Sequence, residues 1–274
     1  MQKKNIYLFL ILFSFSFAQR KIQILQTISF EKPLKLPRIS PDGKLILATT
    51  EGNLGLYVFD IQTGALKYKF KEEQLVGYHA SWGEDAQHIN FRANRNSLGQ
   101  LNILTAEETY KPLNINLVIQ QFQSFEQPYL YLDKNLHCHL EIPLEKKSIV
   151  ANLEQVYQVV KSKDNQHFIL HSGADMYLFD NNFELQTSIP SGLANSFSND
   201  NAQIIFERSA SEGCGHLSHS ELYIYDRAQK TIKQIDLPSS MIPLAPTFTN
   251  NDRQIVFENE KDGSLVHIQL LDNE

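Results

Sequence analysis

Cys214, His216 and His219 stand in one short stretch, residues 208–220, that is otherwise rich in Gly and Ser. Thiolate and neutral imidazole both ligate transition metals. The spacing Cys-x-His-x-x-His fits no structural zinc pattern and supplies three ligands where four are needed. The stretch therefore reads first as a solvated loop, and second as a clamp for a divalent ion, the one cofactor the chain suggests. Cys138 lies between His137 and His139. On a strand, alternation sends both histidines to one side and Cys138 to the other, so a small buried Cys explains the triplet without metal. A bridge between Cys138 and Cys214 is chemically open in an oxidising compartment.

A second group could hold an anion. Arg92, Arg95 and Arg208 follow aliphatic runs and could grip a carboxylate or uronic acid through paired N–H donors. His171, Asp175 and Glu207 complete this candidate binding set. The plainer alternative is that the arginines cap carbonyls or pair with Glu207. Gly-x-Ser-x-Gly, His-Glu-x-x-His, Walker and dinucleotide-binding motifs are all missing from the sequence.

With 274 residues, 42% of them hydrophobic, and a net charge of −6, the chain suits a folded domain with a sizeable core. The absence of a basic run argues against nucleic acid as a partner. Lys3 and Lys4 precede an apolar stretch, residues 6–17, that ends in Ser16-Phe17-Ala18. This is the pattern of a secretory signal peptide cleaved after Ala18, and it falls short of the roughly 20 residues that span a bilayer. The expectation is a single domain over residues 19–274, periplasmic or secreted, monomeric and not inserted in a membrane.

The elements that must position these residues show in a recurring phrase. Ile39-Ser40-Pro41-Asp42-Gly43 leads into Lys44-Leu45-Ile46-Leu47, and Phe197-Ser198-Asn199-Asp200 and Phe248-Thr249-Asn250-Asn251-Asp252 lead into similar runs. Trp82-Gly83-Glu84-Asp85 is a blurred copy. Recurrence at roughly 40 to 50 residues implies an array of β units. Each unit reads as an anchor residue closing a short strand, a polar turn, a β-branched second strand, an alternating third strand such as Leu56–Asp60, and a fourth. Four antiparallel strands per unit describe a propeller blade. Weaker units near residues 123–147 and 163–180 bring the expected count to six blades. Residues 21–30 have no unit of their own and are expected to lend the outermost strand to the last blade, closing the ring.

The phrase with Leu56-Tyr57-Val58-Phe59-Asp60 resembles the WD40-like repeat of TolB-type propellers. That resemblance implies an all-β, six-bladed propeller of four-stranded antiparallel blades and an exported binding module, without implying an activity. The repeated turns mark one end of the disc as structural, and the variable second-to-third-strand loops mark the other as the ligand end. The favoured function is non-catalytic binding of a protein or cell-envelope glycan there. The alternative is a propeller enzyme, an acidic-sugar lyase or metal-dependent lactonase, with its site at the channel mouth.

Overall fold

A computed structural model describes residues 19–70, 76–77, 80–94, 97–112, 129–132, 138–142, 147–150, 153, 156–212 and 216–272. The leader-like segment, Arg95 and Cys214 lie outside the described residues. After β1 (Ile22–Ile28), blade one comprises β2 (Leu34–Ile39), β3 (Leu45–Thr50), β4 (Leu54–Asp60) and β5 (Leu66–Phe70). Blade two comprises β6 (Ser81–Trp82), β7 (His88–Asn94), β8 (Ser97–Asn102) and β9 (Glu108–Pro112). A separate sheet follows, made of β10 (Tyr129–Leu132), β11 (Cys138–Ile142) and β12 (Lys147–Val150). Blade three contains β13 (Val156–Lys161), β14 (His167–Ser172), β15 (Asp175–Asp180) and β16 (Leu185–Ile189). Blade four contains β17 (Leu193–Phe197), β18 (Gln203–Glu212), β19 (His216–Asp226) and β20 (Thr231–Gln234). Blade five is β21 (Pro243–Phe248), β22 (Gln254–Asn259) and β23 (Ser264–Leu270), with β1 as its outermost strand.

The architecture is an all-β propeller of antiparallel four-stranded blades, but among the described residues it has five of them, not six. Of the unit expected near residues 123–147, the described residues form the three-stranded sheet β10-β11-β12. The physical reason lies in its sequence, which lacks the turn phrase that starts every other unit.

That phrase works through hydrogen bonds. Ser40 Oγ accepts from the Leu45 N–H at 2.9 Å and donates to Asp42 Oδ1 at 2.7 Å. Ser162 with Asp164 and Ser198 with Asp200 repeat the arrangement, at 2.6 Å each between hydroxyl and carboxylate. The Ser198 hydroxyl and the Ala202 N–H hold the Asp200 carboxyl below its ordinary range. In all five blades one backbone bond closes the turn: Ser40 to Leu45, Gly83 to His88, Ser162 to His167, Ser198 to Gln203 and Thr249 to Gln254, at 2.7–2.9 Å. These five bonds define equivalent positions around the ring. Gly43 occupies φ +75°, a conformation L side chains rarely adopt, which is why the first copy carries Asp-Gly.

A middle strand sandwiched between neighbouring blades is apolar on both faces, as β4 shows. Leu56, Tyr57, Val58 and Phe59 on β4 are all essentially inaccessible to solvent. The outermost strands β5 and β16 are largely exposed. Successive blades join through shared apolar clusters, for example Phe197 of β17 with Ile169 and Met176 of blade three. Phe248 of β21 joins Ile205, Leu222 and Ile224 of blade four in the same way. The turns also reach across. Lys163 N–H donates to Asn201 Oδ1 at 3.0 Å, and Asn199 Nδ2 donates to Thr249 O at 3.2 Å. Asn250 Nδ2 reaches Pro41 O, and Trp82 Nε1 donates to Arg38 O at 2.9 Å.

β1 pairs with β23 in antiparallel register from Ile22↔Leu270 to Ile28↔Leu265. It buries Ile28 and covers an edge that would otherwise offer unpaired backbone groups. Deleting residues 19–28 should cost about 3 kcal/mol of apolar burial, equivalent to about 6–12 °C in Tm for a chain of this size. Calorimetry and light scattering on the truncated chain check this, with increased self-association as the second expected sign.

Candidate functional site

One position near the end of the second strand carries a polar residue in every blade: Thr49, Arg92, His171, Glu207 and Glu258. The registers of the second and third strands pair Arg92, His171, Glu207 and Glu258 with Leu98, Met176, Leu222 and Leu265, while Thr49 falls in a bulge of its ladder. Three of them are hydrogen-bonded across the seam to the next blade's innermost strand. Glu258 Oε2 accepts from the Leu36 N–H at 2.8 Å, and Glu207 Oε2 accepts from the Ala245 N–H. Buried His171 donates from Nε2 to Ala194 O at 3.1 Å. Leu36 and Ala245 sit at φ 53° and 47°, where a bulge interrupts the ladder and frees the N–H to turn outward. A non-glycine residue in that region costs about 1 kcal/mol or more, which a charge-assisted hydrogen bond offsets.

His171, Asp175 and Arg208 do come together, but as supports for the crossing from blade three to blade four. Asp175 Oδ1 accepts from the Ser191 N–H at 3.1 Å, and Arg208 Nη2 donates to Pro190 O at 3.4 Å. The Arg208 guanidinium lies 5.4 Å from the Phe206 ring and 4.8 Å from the Tyr223 ring, a cation–π stack. Arg92 is half-buried in blade two, away from this crossing.

Residues 208–212 and 216–220, expected in a solvated loop, instead extend β18 and β19 into a two-stranded ribbon that pairs Arg208↔Glu221 through Glu212↔His216; residues 213–215 lie outside the described residues. On that ribbon His219 is exposed and lies 3.2 Å from Glu221 Oε1. Among the described residues no group of three His, Cys, Asp or Glu side chains gathers to hold a metal.

The open space is on the axis. A cavity of about 900 Å³ is lined by the innermost strands of all five blades, including Arg38, Trp82, Lys161, Asn195 and Ala245. Pro41, Glu84, Lys163 and Asn250 border it from the repeated turns, so the end of the disc that looked purely structural contributes to the lining. Sequence reasoning did not single out Arg38, Lys161 or Lys163.

Lys161 occupies an unusual slot. The residue just before each turn-closing bond is Ile39, Trp82, Phe197 or Phe248 in four blades, and Lys161 in blade three. Aligning the five turns would have exposed this exception. Burial lowers the Lys161 pKa against the opposing pull of Glu84 from blade two. Burial likewise lowers Lys163 against Asp252, and Arg38 against Glu258. Among the described residues none of the three side chains has a hydrogen-bond or ion-pair partner. Glu258 is different, since Lys35 Nζ lies 3.4 Å from its Oε1.

Burial pushes Glu207 up to about 8, with the Ala245 N–H opposing and Glu258 adding to the rise. Burial takes His171 down to about 4. Between pH 4.5 and about 8 native Glu207 retains a proton that the unfolded chain has lost, so stability falls as pH rises. Between about pH 4 and 6.5 native His171 stays neutral while the unfolded chain binds a proton, so stability rises with pH. Above 6.5 only the Glu207 effect continues. From pH 6.5 to 8 it amounts to about 2 kcal/mol at about 1.4 kcal/mol per unit. Glu207→Gln, which keeps an oxygen for the Ala245 N–H, should flatten this decline; Tm measured across pH 6–9 checks it.

No protein-family model matches the chain, and no curated protein does. Solved structures do match. The Cps50 (Swd1) β-propeller domain of Myceliophteria thermophila is similar with a TM-score of 0.53 at 10% identity, covering 91% of this chain and 100% of that one. U3-55K is similar with a TM-score of 0.63 at 8% identity, covering 91% of this chain and 98% of that one. At such low identity these likenesses carry the fold alone: the chain is a β-propeller.

Proposed function

We propose that the chain is an exported, non-catalytic binding propeller that engages a protein or cell-envelope glycan through its axial cavity. The cavity carries the reading, because its size of about 900 Å³ lies in the range of ligand pockets. Its polar side chains converge from separate blades, as a site on a repeated scaffold should. The acidic residue best placed for chemistry, Glu207, is engaged with the Ala245 backbone. The basic n-region, the apolar stretch at 6–17 and Ser16-Phe17-Ala18 support export. The propeller resemblance carried by the turn phrase supports a binding role over an enzymatic one.

The ribbon of β18 and β19 is the competing surface, since beyond Glu207 and Tyr223 its strands pair only with each other. Asn195→Trp should plug the cavity and abolish partner recovery when the purified chain is used as bait in envelope extract. Ser218→Ala with His219→Ala on the exposed ribbon should leave recovery intact. The reverse pattern moves the site to the ribbon and overturns the cavity assignment.

A further inference from the structure

Lys161 breaks the rule that the other blades keep. At its position Trp82, Phe197 and Phe248 are buried and help weld one blade to the preceding one. A lysine there gives up apolar burial and retains a charge that burial opposes. Arg38 and Lys163 repeat the pattern, as cations on the cavity wall without a hydrogen-bonded or ion-paired side chain among the described residues. Buried charges are normally paired, and three unpaired cations around one cavity define a place for an anion from outside the chain.

Resting on the binding reading above, we infer that the axial cavity is a carboxylate site, shaped for a sugar-sized organic acid such as a uronate, with Arg38, Lys161 and Lys163 as its cationic wall. The Arg38 guanidinium presents a planar fork that matches a carboxylate with two parallel bonds. Trp82 Nε1 anchors the Arg38 backbone carbonyl at 2.9 Å, so the fork stands on a braced strand. The wall also offers the Trp82 ring and the amides of Gln158, Asn195 and Asn250 for a sugar's faces and hydroxyls. Facing the three cations are Glu84 on the turn side, Asp252 near Lys163, and Glu258, which shares Lys35 with Glu260; Glu207 retains its proton up to about pH 8. At neutral pH the cavity wall itself therefore carries three cations against the carboxylates of Glu84 and Glu258.

Titration calorimetry of the purified chain with glucuronate, glucose and inorganic phosphate tests this. Glucuronate should bind at least tenfold more tightly than glucose and more tightly than phosphate. Lys161→Met, which restores an apolar residue at the slot, should weaken glucuronate at least tenfold while raising Tm by about 2–4 °C. Arg38→Lys should also weaken it, because the fork is lost while the charge remains. Glucuronate binding no tighter than glucose, tighter binding of phosphate, or a Lys161→Met variant with unchanged affinity overturns the inference. So does a fall in Tm for that variant, which would mark Lys161 as a structural partner of Glu84. If Asn195→Trp still removes an envelope partner while glucuronate fails to bind, the carboxylate inference falls and the binding function stands.

Discussion

No blade in this protein can bury both of its faces alone. A four-stranded sheet has two apolar surfaces and one layer of backbone, so each face must be covered by a neighbour. Trp82, Phe197 and Phe248, each just before a turn, supply much of that cover by packing on the blade behind. Everything else about the ring follows from this dependence. Central strands such as β4 are apolar on both sides, and outermost strands such as β5 face water.

Polar groups caught in the seams have to be satisfied there. Glu207, Glu258 and His171 meet backbone groups of the next blade at bulges, converting an unavoidable break in the ladder into an attachment point. Removing such a partner leaves a buried group unpaired, at a cost of about 1–3 kcal/mol. Blade three is built differently, with Lys161 at the slot where the other blades carry an apolar residue, and burial there opposes its charge against the pull of Glu84 from blade two. Beside the axial cavity, blade three thus gives up the apolar cover that Trp82, Phe197 and Phe248 supply elsewhere.

The repeat unit was legible in the sequence because the turn depends on side chains that act locally. Ser40 and Asp42 close their turn with partners at most five residues away, so the phrase survives as a recognisable string. The number of blades was not legible, because a run such as Tyr129–Leu132 looks like blade material whether or not a fourth strand joins its sheet. The candidate residues fared similarly. His171, Asp175 and Arg208 all hydrogen-bond to the 190–194 crossing, and these contacts are long-range facts that the sequence does not display. Residues 208–220 looked like a loop because of their Gly and Ser, yet in 208–212 and 216–220 pairing across the ribbon outweighs weak strand propensity. Lys161 could have been found from sequence, since an alignment of the five turns alone sets it against Ile39, Trp82, Phe197 and Phe248.

The pairing of β1 with β23 has a consequence for how the molecule comes into being. Ile22 meets Leu270, so the first strand made must wait for almost the last. Early blades can assemble while synthesis continues, but the ring stays an open arc until the C-terminal residues are released. Closing so large a loop is a slow, high-contact-order event, and until then β1 is a sticky ribbon in search of a mate. A ribosome pausing late on this message would hold the chain in that vulnerable form, and a truncated product would never leave it.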